Sequence, residues 1–395
     1  MKSIILLFFI LLLSLKTNYS LAYSYERTLP QDTTKKKKNV NTDTTAKLYK
    51  FNKKMERMVK YFPLPIVSFS SETNWLIGLT KFNAFRMGTK DQTDTTIQPS
   101  QITATAYFTL NKQYKIVAES RLMFGQNKYI SDTELLFYDY PANYYGTGND
   151  TKREDEFLLD VVRYSVTQSF GYNITNELYI ALKYEIASFV KVDSTKSPVN
   201  PIDPKFINLK NNEGLQSGLG FTFSREGRDN RFNAKKGSYL FFEYMNYGKW
   251  IGSEFGYNTI TLDARKYYTP FKWLTVAGQL YTEVKDGDIP IQSLAQMGGD
   301  NRMRGVYNGR FRDKAMIESQ IEARIPIWWI FGGVVFAGAG QSFSDYSNFS
   351  WDRTKIAYGA GLRVMVNSDT QTNIRFDLGV HDSHPLFFFT FSEAF

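Results

Sequence analysis

The sequence has no cysteine and only two histidines among its 395 residues. Without a thiol there is no disulfide framework, no lipid-anchored cysteine and no thiolate metal site. The two histidines, His381 and His384, flank Asp382 with no other clustered ligand, which is too little for a metal centre. No Ser-His-Asp or phosphate-loop constellation can be assembled either, so the chain is expected to hold no cofactor and not to be an enzyme. Long apolar runs are equally scarce. Ile4 to Leu13 is unbroken but too short to cross a bilayer, and no later segment approaches the roughly 18 to 20 apolar residues that a spanning helix needs. Any membrane residence must therefore be as strands.

What is present begins with a leader. Lys2 supplies a positive start, Ile4 to Leu13 an apolar stretch, and Ser20 with Ala22 a small-residue cleavage site, so residues 1–22 read as a secretory signal peptide. The formal net charge of +9 raises nucleic acid as a partner, but no recognised nucleic-acid motif accompanies it and an exported chain does not meet one. Residues 23–62 are polar, with a charge run at Lys35 to Lys38, and read as a periplasmic arm. Its second half carries Leu48, Phe51, Met55, Met58 and Phe62 at spacings of three and four among lysines, the pattern of a basic amphipathic helix. Such a helix is either a solvated arm or docks on a membrane face or a barrel mouth.

From residue 63 to 395 the period changes to two. Ile317, Ile321, Ala323 and Ile325 alternate with Glu318, Gln320, Glu322 and Arg324, an apolar stripe backed by a charged one. That is the arrangement of a barrel with a polar lumen, not of a sandwich core. Aromatics make up 16% of the chain, more than a soluble domain needs and suited to two interfacial girdles. Sixteen alternating segments can be counted, from 64–70 through 314–325 to 387–395. An even count returns the C-terminus to the side of the N-terminal arm, and the fold class is all-β: a transmembrane antiparallel β-barrel. The first segment is short and carries Pro65, so it makes a weak partner for the sixteenth. The sixteenth places Phe387, Phe389 and Phe391 opposite Phe388, Thr390 and Ser392 and ends on Phe395.

Three segments together resemble one family. Gly298 to Asp313, GGDNRMRGVYNGRFRD, is similar to the Arg-Gly-aromatic loop of the outer-membrane protein 85 superfamily, with Arg304 and Gly305 matching and Tyr307 standing one place later than the usual aromatic. Arg225 to Gly237, REGRDNRFNAKKG, resembles the family's periplasmic turn between strands eight and nine, and Phe389, Phe391 and Phe395 its C-terminal assembly signal. The resemblance implies that the long sixth extracellular loop folds into the lumen. It also implies a site in the outer membrane of a Gram-negative-type bacterium. Members usually carry POTRA modules before the barrel. Residues 23–62 leave no room for one, which makes this chain an expected barrel-only member.

A loop arginine in a protein-filled lumen needs a carboxylate, because an unpaired buried charge costs several kcal/mol. The family commonly supplies that acid from strand thirteen, where this chain has Gly338 in FAGAG. By alternation the remaining lumen acids are Glu322, Glu318, Asp377 and Asp263, with Glu322 first because its strand follows the loop directly. Gly359 and Gly361 are expected to leave space opposite the loop. The resemblance implies assistance in assembly, insertion or translocation at the outer membrane, with outer-membrane lipid and client or envelope proteins as partners. A structural or pore-forming barrel and a partner-dependent subunit are the alternatives.

The arm yields a test. Deleting Asp32 to Lys54 is expected to leave barrel assembly largely intact while weakening association with anionic vesicles. That association should also fade as salt rises, since exposed lysines are screened within about 10 Å at 0.1 M ionic strength. Loss of barrel folding on the same deletion would make the arm part of the fold.

Overall fold

Alternation of apolar and polar residues builds strands that each show one face to lipid and one to a lumen, and such strands leave no unpaired backbone only if the sheet closes. The computed structural model describes residues 62–88, 98–193, 209–328, 330–367 and 371–395. The expected signal peptide, residues 1–22, and nearly all of the expected basic arm, residues 23–62, lie outside them. The first eight strands are β1 Leu64–Ser70, β2 Asn74–Phe85, β3 Ser100–Thr109, β4 Tyr114–Phe124, β5 Tyr129–Asp139, β6 Phe157–Asn173, β7 Leu178–Asp193 and β8 Gly214–Glu226. The second eight are β9 Gly237–Tyr247, β10 Tyr257–Phe271, β11 Leu274–Gly287, β12 Ala315–Trp328, β13 Phe331–Phe343, β14 Lys355–Asn367, β15 Thr372–His381 and β16 His384–Phe391. Each pairs antiparallel with its neighbours in the chain, and β1 pairs with β16, so sixteen strands form one closed barrel.

The two faces differ as the pattern requires. On β12, Ile321 and Ile325 are exposed while Glu318, Gln320, Glu322 and Arg324 are buried. Exposed aromatics gather at the turns that alternate strands share: Phe271 stacks on Trp273 with ring centroids 5.5 Å apart, Trp328 on Phe331 at 6.1 Å and Phe124 on Tyr129 at 5.7 Å. All three pairs sit at the end of the barrel where β1 begins, where amphipathic rings suit a membrane interface. Among the described residues no helix is long and apolar enough to cross a membrane.

Two expectations from the sequence are corrected. Alternation marks the seventh segment over 174–189 with loop from Val190, but β7 continues to Asp193, kept in register with β6 by a bulge between Val162 and Arg163. The last strand stops at Phe391 and does not run to residue 395. Ser392 adopts φ 68°, a left-handed conformation that turns the chain off the sheet, and Glu393, Ala394 and Phe395 are buried inside. Phe395 packs with Ala234, Tyr267 and Ala277 in the lumen, and its main-chain oxygen accepts a hydrogen bond from Arg324 at 3.0 Å. An aromatic at an alternating position thus ends on the wall's inner side, where Arg324 holds its carbonyl.

Ile321 lies midway along β12 on the lipid face. Ile321→Arg is expected to destabilise the barrel by about 2 to 4 kcal/mol in vesicle-based denaturant titrations, and Ile327→Arg, close to the interface, by about 0 to 1. Equal effects would show that the two residues do not differ in membrane depth.

Candidate functional site

The segment between β11 and β12 leaves the wall as a short two-stranded ribbon, Ala295–Met297 with Phe311–Asp313, and descends inside the barrel. Its base is held where Glu318 accepts a hydrogen bond from the Gly298 N–H at 2.6 Å and pairs with Arg302 at 3.4 Å. Its tip needs backbone contact with β15. Gly305 has φ +116°, and a Cβ there would lie 2.6 Å from the Val380 nitrogen, while one on Gly379 would lie 2.3 Å from the Arg304 carbonyl oxygen. Met303 fills the space over Gly338 and Gly340 on β13, so the position where the family commonly has an acid serves here as a socket for a thioether.

Arg304 is 1% exposed. Its guanidinium donates to Glu322 and, at 2.6 Å, to Asp377, and it lies over the Phe336 ring with 3.7 Å to the centroid. Gly359 leaves room for that ring, and Gly361 for the Asp377 carboxylate. The contacts continue. Arg363 donates to the other Asp377 oxygen at 2.6 Å and to Glu393 at 2.7 Å. Arg324 donates to Glu322 at 2.5 Å and lies 3.9 Å from Glu393. Arg304, Asp377, Arg363, Glu393, Arg324 and Glu322 therefore form a closed ring in which three guanidinium groups alternate with three carboxylates. Because each guanidinium bridges two carboxylates, every charge keeps a partner without water. Arg375 borders the ring, 3.6 Å from Asp377 and donating to Thr390 at 2.8 Å.

The ring joins all three motifs noted in the sequence. Arg324 also donates to the Ala234 carbonyl at 3.2 Å, in the turn after β8. Within that turn Asp229 accepts from the Asn230, Lys235 and Lys236 amides, and the Phe232 carbonyl accepts from the Ser392 hydroxyl at 3.2 Å. Loop, turn and C-terminal tail meet in one place.

Of the four acids singled out for Arg304, the structure brings Glu322 and Asp377 to it, Glu318 to the loop base, and Asp263 elsewhere, to Arg265 and Gln279. Tyr307 stands apart from Arg304, its hydroxyl accepting from the Asn143 amide at 3.3 Å. Phe389 stacks on Phe376 with centroids 4.9 Å apart, in β16, and Phe391 pairs in register with Ile374, whereas Phe395 has left the strand. Sequence reasoning missed Glu393, which falls within the segment expected to continue as strand to residue 395. Only the turn at Ser392 brings it to Arg363.

β1 contrasts with this core. It is in register with β16 at two positions, Phe69 with Phe389 and Ser70 with Phe388, against eight between β16 and β15. Ser68 adds a side-chain hydrogen bond to the Phe389 carbonyl at 2.8 Å, and the Ser71 N–H donates to the Phe387 carbonyl at 3.1 Å. The seam is thus fastened where β1 ends, and the first half of β1, from Leu64 to Val67 and including Pro65, pairs with β2 alone.

The family model described as Omp85 superfamily domain matches residues 140–392. No curated protein sequence matches the chain. Among solved structures it is similar to BamA from Haemophilus ducreyi lacking POTRA domains 1–3, at 13% identity over 88% of this chain and 78% of that one, with a TM-score of 0.56. It is also similar to CdiB from Escherichia coli, at 10% identity over 82% of this chain and 62% of that one, TM-score 0.52. CdiB from Acinetobacter baumannii gives 10%, 82%, 58% and 0.51. At these identities the likeness is one of fold, and the chain spans about six-tenths of either CdiB.

Breaking one partner of a buried ion pair typically costs about 3 to 5 kcal/mol. Arg304→Ala is expected to fall in that range in thermal or denaturant unfolding. Glu322→Gln and Asp377→Asn should each couple to it by about 0.5 to 3 kcal/mol in double-mutant cycles. Asp263→Asn should add independently; coupling as strong for Asp263 would refute the ring.

Proposed function

The chain belongs to the Omp85 superfamily, and from that premise we propose that it assists the assembly, insertion or translocation of proteins at the outer membrane. The observation that carries the reading is the seam. A sheet edge exposes a row of backbone donors and acceptors, which is a template for an incoming strand. In this barrel only the β1–β16 junction offers such an edge among the described strands, since β1 leaves its periplasmic half without a partner on that side. A client strand approaching from the periplasm would meet that half first. Pro65 lacks an N–H and so weakens any return of β1 to full pairing.

The lumen supports the same reading. The loop, the turn and the tail are locked together inside the barrel by a buried ring, which suits a barrel that works at its wall better than one that conducts through its centre. A pore is the second reading, and one experiment separates them. The chain has no cysteine, so Phe69→Cys with Phe389→Cys gives a single engineered pair at register partners, a spacing a disulfide can bridge. Reconstituted in liposomes, the reduced double variant should accelerate folding of an unrelated barrel, the oxidised one should not, and added reductant should restore the rate. Acceleration by the oxidised form would overturn the seam as the route. Ion conductance indifferent to oxidation, without acceleration in either form, would favour the pore.

A further inference from the structure

The outer half of the lumen holds a cavity of about 320 Å³ between the inner faces of β3 to β6 and the loop that carries Arg304. That volume is at the small end of ligand sites, which run from roughly 300 to 1,000 Å³. Two cations line it. Arg312 is 4% exposed and donates only to main-chain oxygens, Gly309 at 3.0 Å and Asn143 at 3.4 Å, with the Tyr144 ring 4.8 Å from its guanidinium carbon. Lys115 projects from β4 into the same space. Among the described residues neither has a carboxylate within ion-pair distance, in a barrel where every ring arginine has one. A buried guanidinium without an anion is costly, and carbonyl oxygens and a π face meet only part of that cost.

Beside the apolar Leu136, Ala142, Leu159 and Val161, the lining offers groups that suit hydroxyls. Tyr107, Tyr138, Tyr140 and Tyr307 supply ring faces and phenols, and Gln292 and Gln296 supply amides. A second cavity of about 260 Å³ shares Glu72, Gln113 and Tyr307 with the first and is otherwise lined by Leu110 to Lys112, Pro141 and Asn143, which lie at the outer turns, and by Leu158. It gives an approach from outside. We propose that this cavity binds a small polyhydroxylated anion, an acidic monosaccharide in size and chemistry, with Arg312 and Lys115 facing its acid group and the tyrosines its ring.

Glu72, in the turn after β1, is the one carboxylate on the cavity wall; it accepts the Asn308 N–H at 2.8 Å. Burial, with Asp300 adding to it, pushes its carboxyl up to about 8 against the pull of that amide. Below that pH Glu72 is neutral and the charge on the wall is that of Arg312 and Lys115, set among the phenols of Tyr107, Tyr138, Tyr140 and Tyr307. As pH rises through about 8 the carboxylate ionises and opposes an anion, so binding is strongest below that pH and weakens above it.

The test is calorimetry on the full-length barrel in detergent with glucuronate, glucose 6-phosphate, glucose and inorganic phosphate. Saturable glucuronate binding at least about tenfold tighter than glucose is expected, weakened about tenfold or more by Arg312→Gln, as loss of a charge-assisted hydrogen bond implies. Lys115→Gln serves should the arginine variant fail to fold, and a several-fold loss is expected from it. Glu72→Gln should remove the fall in affinity between pH 7 and 9. Tighter binding of glucose 6-phosphate than of glucuronate would assign the acid group as phosphate within the same proposal. Glucuronate and glucose 6-phosphate no tighter than glucose, or inorganic phosphate as tight as either sugar acid, would overturn it.

Discussion

Everything inside this barrel is arranged around one guanidinium that has been taken out of water. A desolvated Arg304 is tolerable only between carboxylates, and the two it meets, Glu322 and Asp377, belong to strands on either side of β13 and β14. Bringing the loop that far in requires a wall without side chains where the backbone arrives, which Gly379 provides, and a floor for the guanidinium, which Phe336 provides. Each carboxylate then has an oxygen to spare, and Arg324 and Arg363 take them. Those two arginines in turn share Glu393, so the tail must turn inward to complete the set. The ring is stable as a whole and costly in any part, as expected of a buried network in low dielectric.

The same device explains the seam. By leaving the strand at Ser392, the tail gives up the positions that would have paired with the start of β1 and spends them on Arg363 and Arg324. β16 therefore does not depend on β1 for its place. It is held by β15 along eight register positions and by the ring at its end, whereas β1 is held by β2 and by a short clasp at the outer end. If the barrel opens, the strand that moves is β1.

The sequence disclosed what depends on period and disclosed little that depends on meeting. Alternation alone marks sixteen strands, because lipid on one face and a charged lumen on the other force it along every strand, and the observed ends differ by a few residues at most of them. Glu322 could be ranked first since its strand follows the loop. That Asp377 shares the same guanidinium could not, because it depends on how far the loop crosses the lumen toward β15. Phe395 misled for a physical reason: an aromatic at an alternating position looks the same whether the strand continues or ends, and the decision lies with one left-handed residue and two arginines far away in the chain. Nothing in the sequence marks Arg312 and Lys115, since the lack of a carboxylate beside them is visible only when the surroundings are.

The loop connects the two halves of the lumen. Its Arg304 is fixed in the ring, while Asn308, four residues on, donates to Glu72 in the turn between β1 and β2. Glu72 lies two residues beyond Ser70, which is one of the two residues of β1 in register with β16. One side chain is thus part of the cavity wall and a neighbour of the clasp. Displacing β1 would move that carboxylate and change the cavity, and by reciprocity an occupant that prefers one position of Glu72 would bias the clasp by the same free energy. Such coupling needs differential contact with the two arrangements and no structural pathway beyond these residues. The ring holds the inner end of the loop, so any such displacement would fall on the side where the seam is weak.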